Sequence, residues 1–273
     1  MQLDKYALLT QGILVDYATP QERLAALAAR LHPVQTTRRL IRVGGPDDGG
    51  YLVPDDLSGI AACFSPGVGP VATFESDLAR NHGIPSLLAD GSVAGPPPGF
   101  EPLSFIHRHL GVVDDAGSIR LDTWARSWPG FAAGTDLLLQ IDIEGGEYAT
   151  LLGVSEQLLA RFRIIVLEVH FIESWAHPQF MLLAEALFER LLARFHVVHS
   201  HPNNCCGIFR IGDFLAPRIL ELTFLRKDRS PALGPCLELP HPLDAPNLPD
   251  QPDLILPPGW RHEASPPSAA GTP

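Results

Sequence analysis

The chain has 273 residues, 45% of them hydrophobic and 19% charged, enough to bury one large core with appendages. Its formal net charge of -11 disfavours attraction to nucleic acid phosphates or anionic membranes, which need a basic surface, and points instead to a small or neutral substrate. The opening MQLDKYALLTQGILVDYATP has no basic region followed by an unbroken apolar run, and no apolar stretch approaches the roughly 20 residues that span a bilayer, so neither a signal peptide nor a membrane span is expected.

Residues 3–16 and 20–32 carry apolar side chains at helical spacing, the second stretch opened by Thr19, Pro20 and Glu22 and marked by Leu24, Leu27 and Leu31. They predict two cap helices within residues 1–40. In RVGGPDDGGYLVPDD the glycines 44, 45, 49 and 50 surround Asp47 and Asp48, a turn with too few apolar side chains to be core. From residue 60 short apolar runs alternate with helical segments, the pattern of a mostly parallel sheet with helices on both faces. Seven strands are predicted, at 60–65, 86–90, 103–108, 136–142, 163–169, 195–200 and 218–226. Helices fall near 73–82 (closed by Gly83), 121–127, 146–160 and 178–194. No helix separates the last two strands, so they should pair antiparallel, while the others connect through crossovers and run parallel. This α/β domain occupies residues 41–228. The tail, 229–273, holds 12 of the 27 prolines and is expected to wrap the surface or be partly disordered; no chemistry is assigned to it.

CFSPGVGPVATFESDLARNHG reads as strand, glycine turn and helix, with Gly67 and Gly69 letting the backbone approach a ligand. Asp90 ends the second strand, 21 residues after Gly69, where nucleotide sites place a carboxylate on ribose hydroxyls; Gly91 follows it. NAD would satisfy that spacing too, but Ala72 stands at the third position of a GxGxxG, so a pyrophosphate site is poorly made. S-adenosylmethionine, which has no pyrophosphate, needs only the open loop. Glu75 would then lie near the cofactor's ammonium, and Leu110 and Gly111 would form an adenine shelf.

Ligands of open α/β sheets sit beyond the carboxyl ends of the strands. There Asp142 and Glu144 follow LLLQI, and Glu168 and His170 end RIIVLEVHF; each pair is spaced by two and so shares a face. If these two strands are neighbours, Asp142 joins the Glu168–His170 pair. His170 suits a general base, and a divalent ion, magnesium or manganese, held by Asp142, Glu168 and His170 is the alternative. In HSHPNN, His199 and His201 share a face, with His201 a further catalytic candidate; Asn203 and Asn204 form a loop that can fold over the sheet end. Asp48, Tyr51, Glu144, His199, Asn203 and Asn204 are the expected acceptor-binding residues. Cys63, Cys205, Cys206 and Cys236 form no regular framework, which suits a reducing cytoplasm. Oligomeric state is left open.

Together VGGPDDGGYLVPD, CFSPGVGPVATFESDLA, LDTWARS, LLLQIDIEGGEYATLL, IIVLEVHF, HSHPNN and PRILELTFLR resemble the FkbM-type methyltransferases, in the branch with a DGGY segment, over roughly residues 42–227. The resemblance implies a class I, Rossmann-like methyltransferase fold, S-adenosylmethionine as donor, and a hydroxyl acceptor on a sugar or natural product. It also implies, from related sugar O-methyltransferases, a magnesium ion on Asp142 and Glu168, although His170 stands here where a second carboxylate would be. A nicotinamide-dependent oxidoreductase and a non-catalytic binding protein are the competing functional classes.

Overall fold

The computed structural model describes residues 4–131 and 134–262. Its central sheet has seven strands: β1 (Ile60–Pro66), β2 (Ser86–Ala89), β3 (Ser104–Ile106), β4 (Asp136–Ile141), β5 (Phe162–Val169), β6 (Phe195–Pro202) and β7 (Leu220–Arg226). They lie in the order β6-β7-β5-β4-β1-β2-β3. β7 is antiparallel to both its neighbours and every other pair is parallel. Each matches a predicted strand, and the architecture is consistent with a class I methyltransferase fold. Chain direction across the sheet reverses between β1 and β4, and a crevice opens beyond their carboxyl ends.

The strands are apolar at nearly every position because both faces are covered. On one face Leu137, Leu139, Ile141, Ile165 and Leu167 pack into the larger core, with side chains from α2 (Gln21–Arg30), α4 (Leu121–Ser127), α5 (Glu147–Gly153), α6 (Glu156–Leu159) and α7 (Pro178–Arg194). On the other, Leu138, Ile164 and Val166 meet Phe74 and Leu78 of α3 (Thr73–His82). Helix α7 turns Met181, Ala184, Leu187, Phe188 and Leu191 inward, a 3.6-residue stripe, and begins with Pro178, whose missing N–H costs nothing there. Helix α3 stops at Gly83, which takes the left-handed conformation at φ 67°.

Several expectations need correction. The first cap helix, α1, runs only Lys5–Leu9 and buries no residue, so the apolar pattern over 3–16 finds no surface to pack on. The glycine-rich turn is the tip of a hairpin, Leu40–Val43 with Tyr51–Pro54, and Val43, Tyr51 and Val53 are core beside α3. Four-residue strands are too short to show a period, which is why the sequence hid them. The single helix expected over 146–160 is two: Val154 and Ser155 are extended, and the Ser155 hydroxyl caps α6 at the Leu158 N–H. Two small strand pairs, 109–111 with 118–120 and 208–211 with 214–217, had no prediction. The tail wraps the molecule: Gly234–Pro235 pairs with Val34–Gln35, and Trp260 is buried near Trp175 and Phe214. No helix among the described residues is long and apolar enough to cross a membrane.

Candidate active site

After β1 the chain turns through Gly67 and Gly69, at φ 83° and 56°. A Cβ on Gly67 would lie 1.5 Å from the Asp142 carbonyl oxygen, so only glycine lets the β1 turn pass the end of β4. Around Gly69 a Cβ would meet nothing within 4 Å; its surface is open. Its N–H donates to Asp90 Oδ2 at 3.0 Å, while the Ser92 amide and hydroxyl donate to Oδ1 at 2.7 and 2.6 Å. Burial acts to raise the Asp90 carboxyl, but these donors outweigh it and hold the carboxyl below its ordinary value.

A cleft of about 280 Å³ opens here, lined by Gly67, Gly69, Asp90, Ser92, His109, Leu110, Asp142, Ile143 and Glu144 among others. Leu110 sits in its wall as expected. Gly111 and Gly91 do not; the Gly91 backbone lies so close to the His109 ring that a Cβ would fall 2.5 Å from it. A second cavity of about 220 Å³ shares Gly67, Gly69, Asp142 and Glu144 with the first and adds Asp48, Tyr51, Glu75 and Gln140. The two volumes together reach the range of about 300–1,000 Å³ typical of small-molecule sites. Glu75, though largely buried, is part of this wall; it accepts from the Ser65 hydroxyl, and burial raises its carboxyl despite that hydrogen bond.

Strands β4 and β5 are neighbours, with Ile141 opposite Leu167, so the adjacency on which the catalytic end depends holds. The side chains past the strands sort differently from the prediction. β5 ends at Val169, and His170, just past it, meets a different set of partners from Glu168. His170 Nε2 lies 3.7 Å from Asp142 Oδ1 and 3.4 Å from Glu144 Oε2. Its Nδ1 lies 3.0 Å from Oε1 of Glu147, the first residue of α5 and not among the residues expected at the site. Burial, reinforced by Glu144 and Glu147 and opposed by His170, pushes the Asp142 carboxyl up to about 7. For His170 burial acts downward, but the Glu147 hydrogen bond and surrounding carboxylates outweigh it and raise the imidazole.

Glu168 instead accepts from Asn203 Nδ2 at 2.9 Å and stands opposite Glu221 of β7; burial first, then the charges of Asp142 and Glu221, raise it well above its ordinary value. Three donors of the kind that hold a metal converge to within 4.8 Å of one another among the described residues, and they are Asp142, Glu147 and His170. Glu147 thus stands where Glu168 was expected.

The HSHPNN loop is covered by the tail. His199 Nε2 lies 2.9 Å from Asp244 Oδ1, an ion-pair distance off the line of a hydrogen bond. His201 sits between Glu221 and Asp253, and the Asn204 amide donates toward the carbonyls of Leu248, Gln251 and Pro252. Neither cavity includes His199, His201, Asn203 or Asn204, so the loop does not form the acceptor wall expected of it. The tail, to which no chemistry was assigned, occupies that side: Asn247 reaches both Glu221 and the cavity-lining Asp48.

Residues 102–195 match the model of the methyltransferase FkbM domain. Over this segment, about a third of its length, the chain is similar to the FkbM methyltransferases. No curated protein matches the chain. The FkbM segment runs from β3 to the start of β6 and contains His109, Leu110, Asp142, Glu147, Glu168 and His170, and it supports a methyltransferase. The glycine turn and Asp90 lie ahead of it, in the strands that complete the same sheet.

Proposed function

We propose that the chain is an S-adenosylmethionine-dependent O-methyltransferase acting on a hydroxyl of a sugar, a glycan or a glycosylated natural product. One observation carries the reading: Asp90, oriented by the Gly69 amide, and Asp142, beside His170 Nε2, line one cleft. When bound, S-adenosylmethionine supplies a methyl group on a positively charged sulfur for in-line transfer to oxygen. The Asp90 carboxylate is placed to accept from two ribose hydroxyls, Leu110 to flank the adenine, and Glu75, with the polar wall of the second cavity, to face the methionine ammonium. The acceptor would enter past Asp48 and Tyr51. His170 Nε2 would take the acceptor's hydroxyl proton, with Asp142 orienting the hydroxyl toward the methyl group that the bound donor would supply.

A magnesium or manganese ion on Asp142, Glu147 and His170 is a second reading. It is favoured by two buried oxygens without hydrogen-bond partners, Asp142 Oδ1 and Glu147 Oε2. It would polarise the acceptor hydroxyl. We further assign the methyltransferase domain to residues 41–228, with 1–40 as N-terminal cap helices and 229–273 as a proline-rich tail, and the chain to the DGGY branch of the family it resembles. The four cysteines are free thiols, which fits a cytoplasmic protein.

The test is release of S-adenosylhomocysteine with a panel of glycosides and free sugars, for wild type and His170→Gln. Turnover that falls about 10²–10⁴-fold in the variant is expected for loss of a general base. Turnover unchanged by the substitution, or none with any hydroxyl acceptor, would count against the reading.

A further inference from the structure

Glu147 is the first residue of α5 and is 0% exposed, a burial that a carboxylate tolerates only with partners. Its Oε1 accepts from the Ile143 N–H at 3.0 Å and the Gly145 N–H at 3.2 Å, and meets His170 Nδ1 at 3.0 Å. Amides only donate, so this oxygen is an acceptor, and Nδ1 must bring the proton to it. In the neutral ring the other nitrogen is then left with its lone pair toward Asp142, Glu144 and the cleft. The next residue of the helix secures the opposite end of His170: the Tyr148 hydroxyl donates to the His170 carbonyl at 2.9 Å, and Trp175 Nε1 donates to the Tyr148 oxygen at 2.9 Å. One turn of helix therefore holds both the ring and the backbone of His170.

The same oxygen holds the cleft wall. Ile143 and Glu144 line the cleft, and the turn that carries them runs through positive φ at Glu144 (55°) and Gly145 (98°). Non-glycine residues adopt that conformation only when their surroundings impose it. The two amides donated to Glu147 do so here.

We propose that Glu147 is the positioning residue of this site, fixing His170 in the tautomer protonated at Nδ1 and, through the same oxygen, fixing the 143–145 turn against the cofactor. The assignment rests on reading His170 as the base, yet the tautomer can be measured without any acceptor. Full-length protein carrying ¹⁵N-histidine, with His170→Gln to identify the signal, is expected to show neutral His170 protonated on Nδ1. Glu147→Gln keeps an oxygen for the two amides but loses the carboxylate. It should give a mixed tautomer, a kcat about 10²–10⁴-fold lower, and acceptor KM and S-adenosylhomocysteine affinity within about threefold of wild type. Glu147→Ala should also weaken S-adenosylhomocysteine, because the wall is released. A wild-type proton on Nε2, an unchanged tautomer and turnover in Glu147→Gln, or stoichiometric manganese that removes the Nδ1 proton would each overturn the proposal. If the tautomer behaves as stated and no hydroxyl is methylated, the positioning stands and the proposed reaction falls.

Discussion

A carboxylate that is to bind ribose must be ionised and correctly aimed before the ligand arrives, and Asp90 meets both conditions through three donors from Gly69 and Ser92. Replacing it by alanine removes charge-assisted hydrogen bonds worth about 1.5–3 kcal/mol. S-Adenosylhomocysteine affinity measured by calorimetry should therefore fall about 10- to 100-fold, and a loss under twofold would remove Asp90 from the site. Asp90, Gly67 and Gly69 were legible in the sequence because strand, turn and carboxylate occur there at a spacing that few other structures need. Glu147 was not. An acid in a helix's first turn is ordinary, and its meaning comes from His170, 23 residues away in the chain. His199 and His201 were over-read for the converse reason: two histidines on one strand face suggest chemistry, and only the tail shows that their partners are Asp244, Glu221 and Asp253.

The seven sheet strands could be read at the scale of elements because parallel strands buried on both faces are nearly continuous apolar runs. Elements whose cause lies elsewhere in the molecule could not. The break between α5 and α6 follows from Ser155, whose amide donates to Asp122 Oδ2 at 2.8 Å and whose hydroxyl bonds the same carboxylate while accepting the Leu158 N–H. Asp122 belongs to α4, so this hydrogen bond ties α4 to the start of α6. Ser155→Ala removes the cap and leaves Asp122 short of a donor, and should cost about 1–2 kcal/mol in urea unfolding. A change below about 0.3 kcal/mol would show that the break is set by the backbone alone.

At the scale of the whole molecule, the tail packs its carboxylates Asp244 and Asp253 against the histidines of β6. Burial acts to lower the His201 imidazole, but Glu221, Asp244 and Asp253 outweigh it and raise it to about 9. A histidine raised in the folded state contributes its full stabilisation below its unfolded value of about 6.5, and that contribution is lost as pH rises through about 9. The limit is on the order of 3 kcal/mol. Thermal unfolding of wild type and His201→Gln from pH 6 to pH 10 should show a gap in Tm that narrows with rising pH. A gap independent of pH would mean that the histidine–carboxylate cluster does not hold the tail. The proline-rich composition pointed to a segment that wraps the surface or is partly disordered; the described part, to residue 262, wraps it, but composition cannot reveal which carboxylates such a segment brings with it.

Binding of S-adenosylhomocysteine to the full chain, followed by calorimetry with NADH as the comparison ligand, tests the central claim most directly. The account predicts one site of micromolar or tighter affinity for S-adenosylhomocysteine and none for NADH. No heat at millimolar S-adenosylhomocysteine, or binding of NADH in its place, would contradict it.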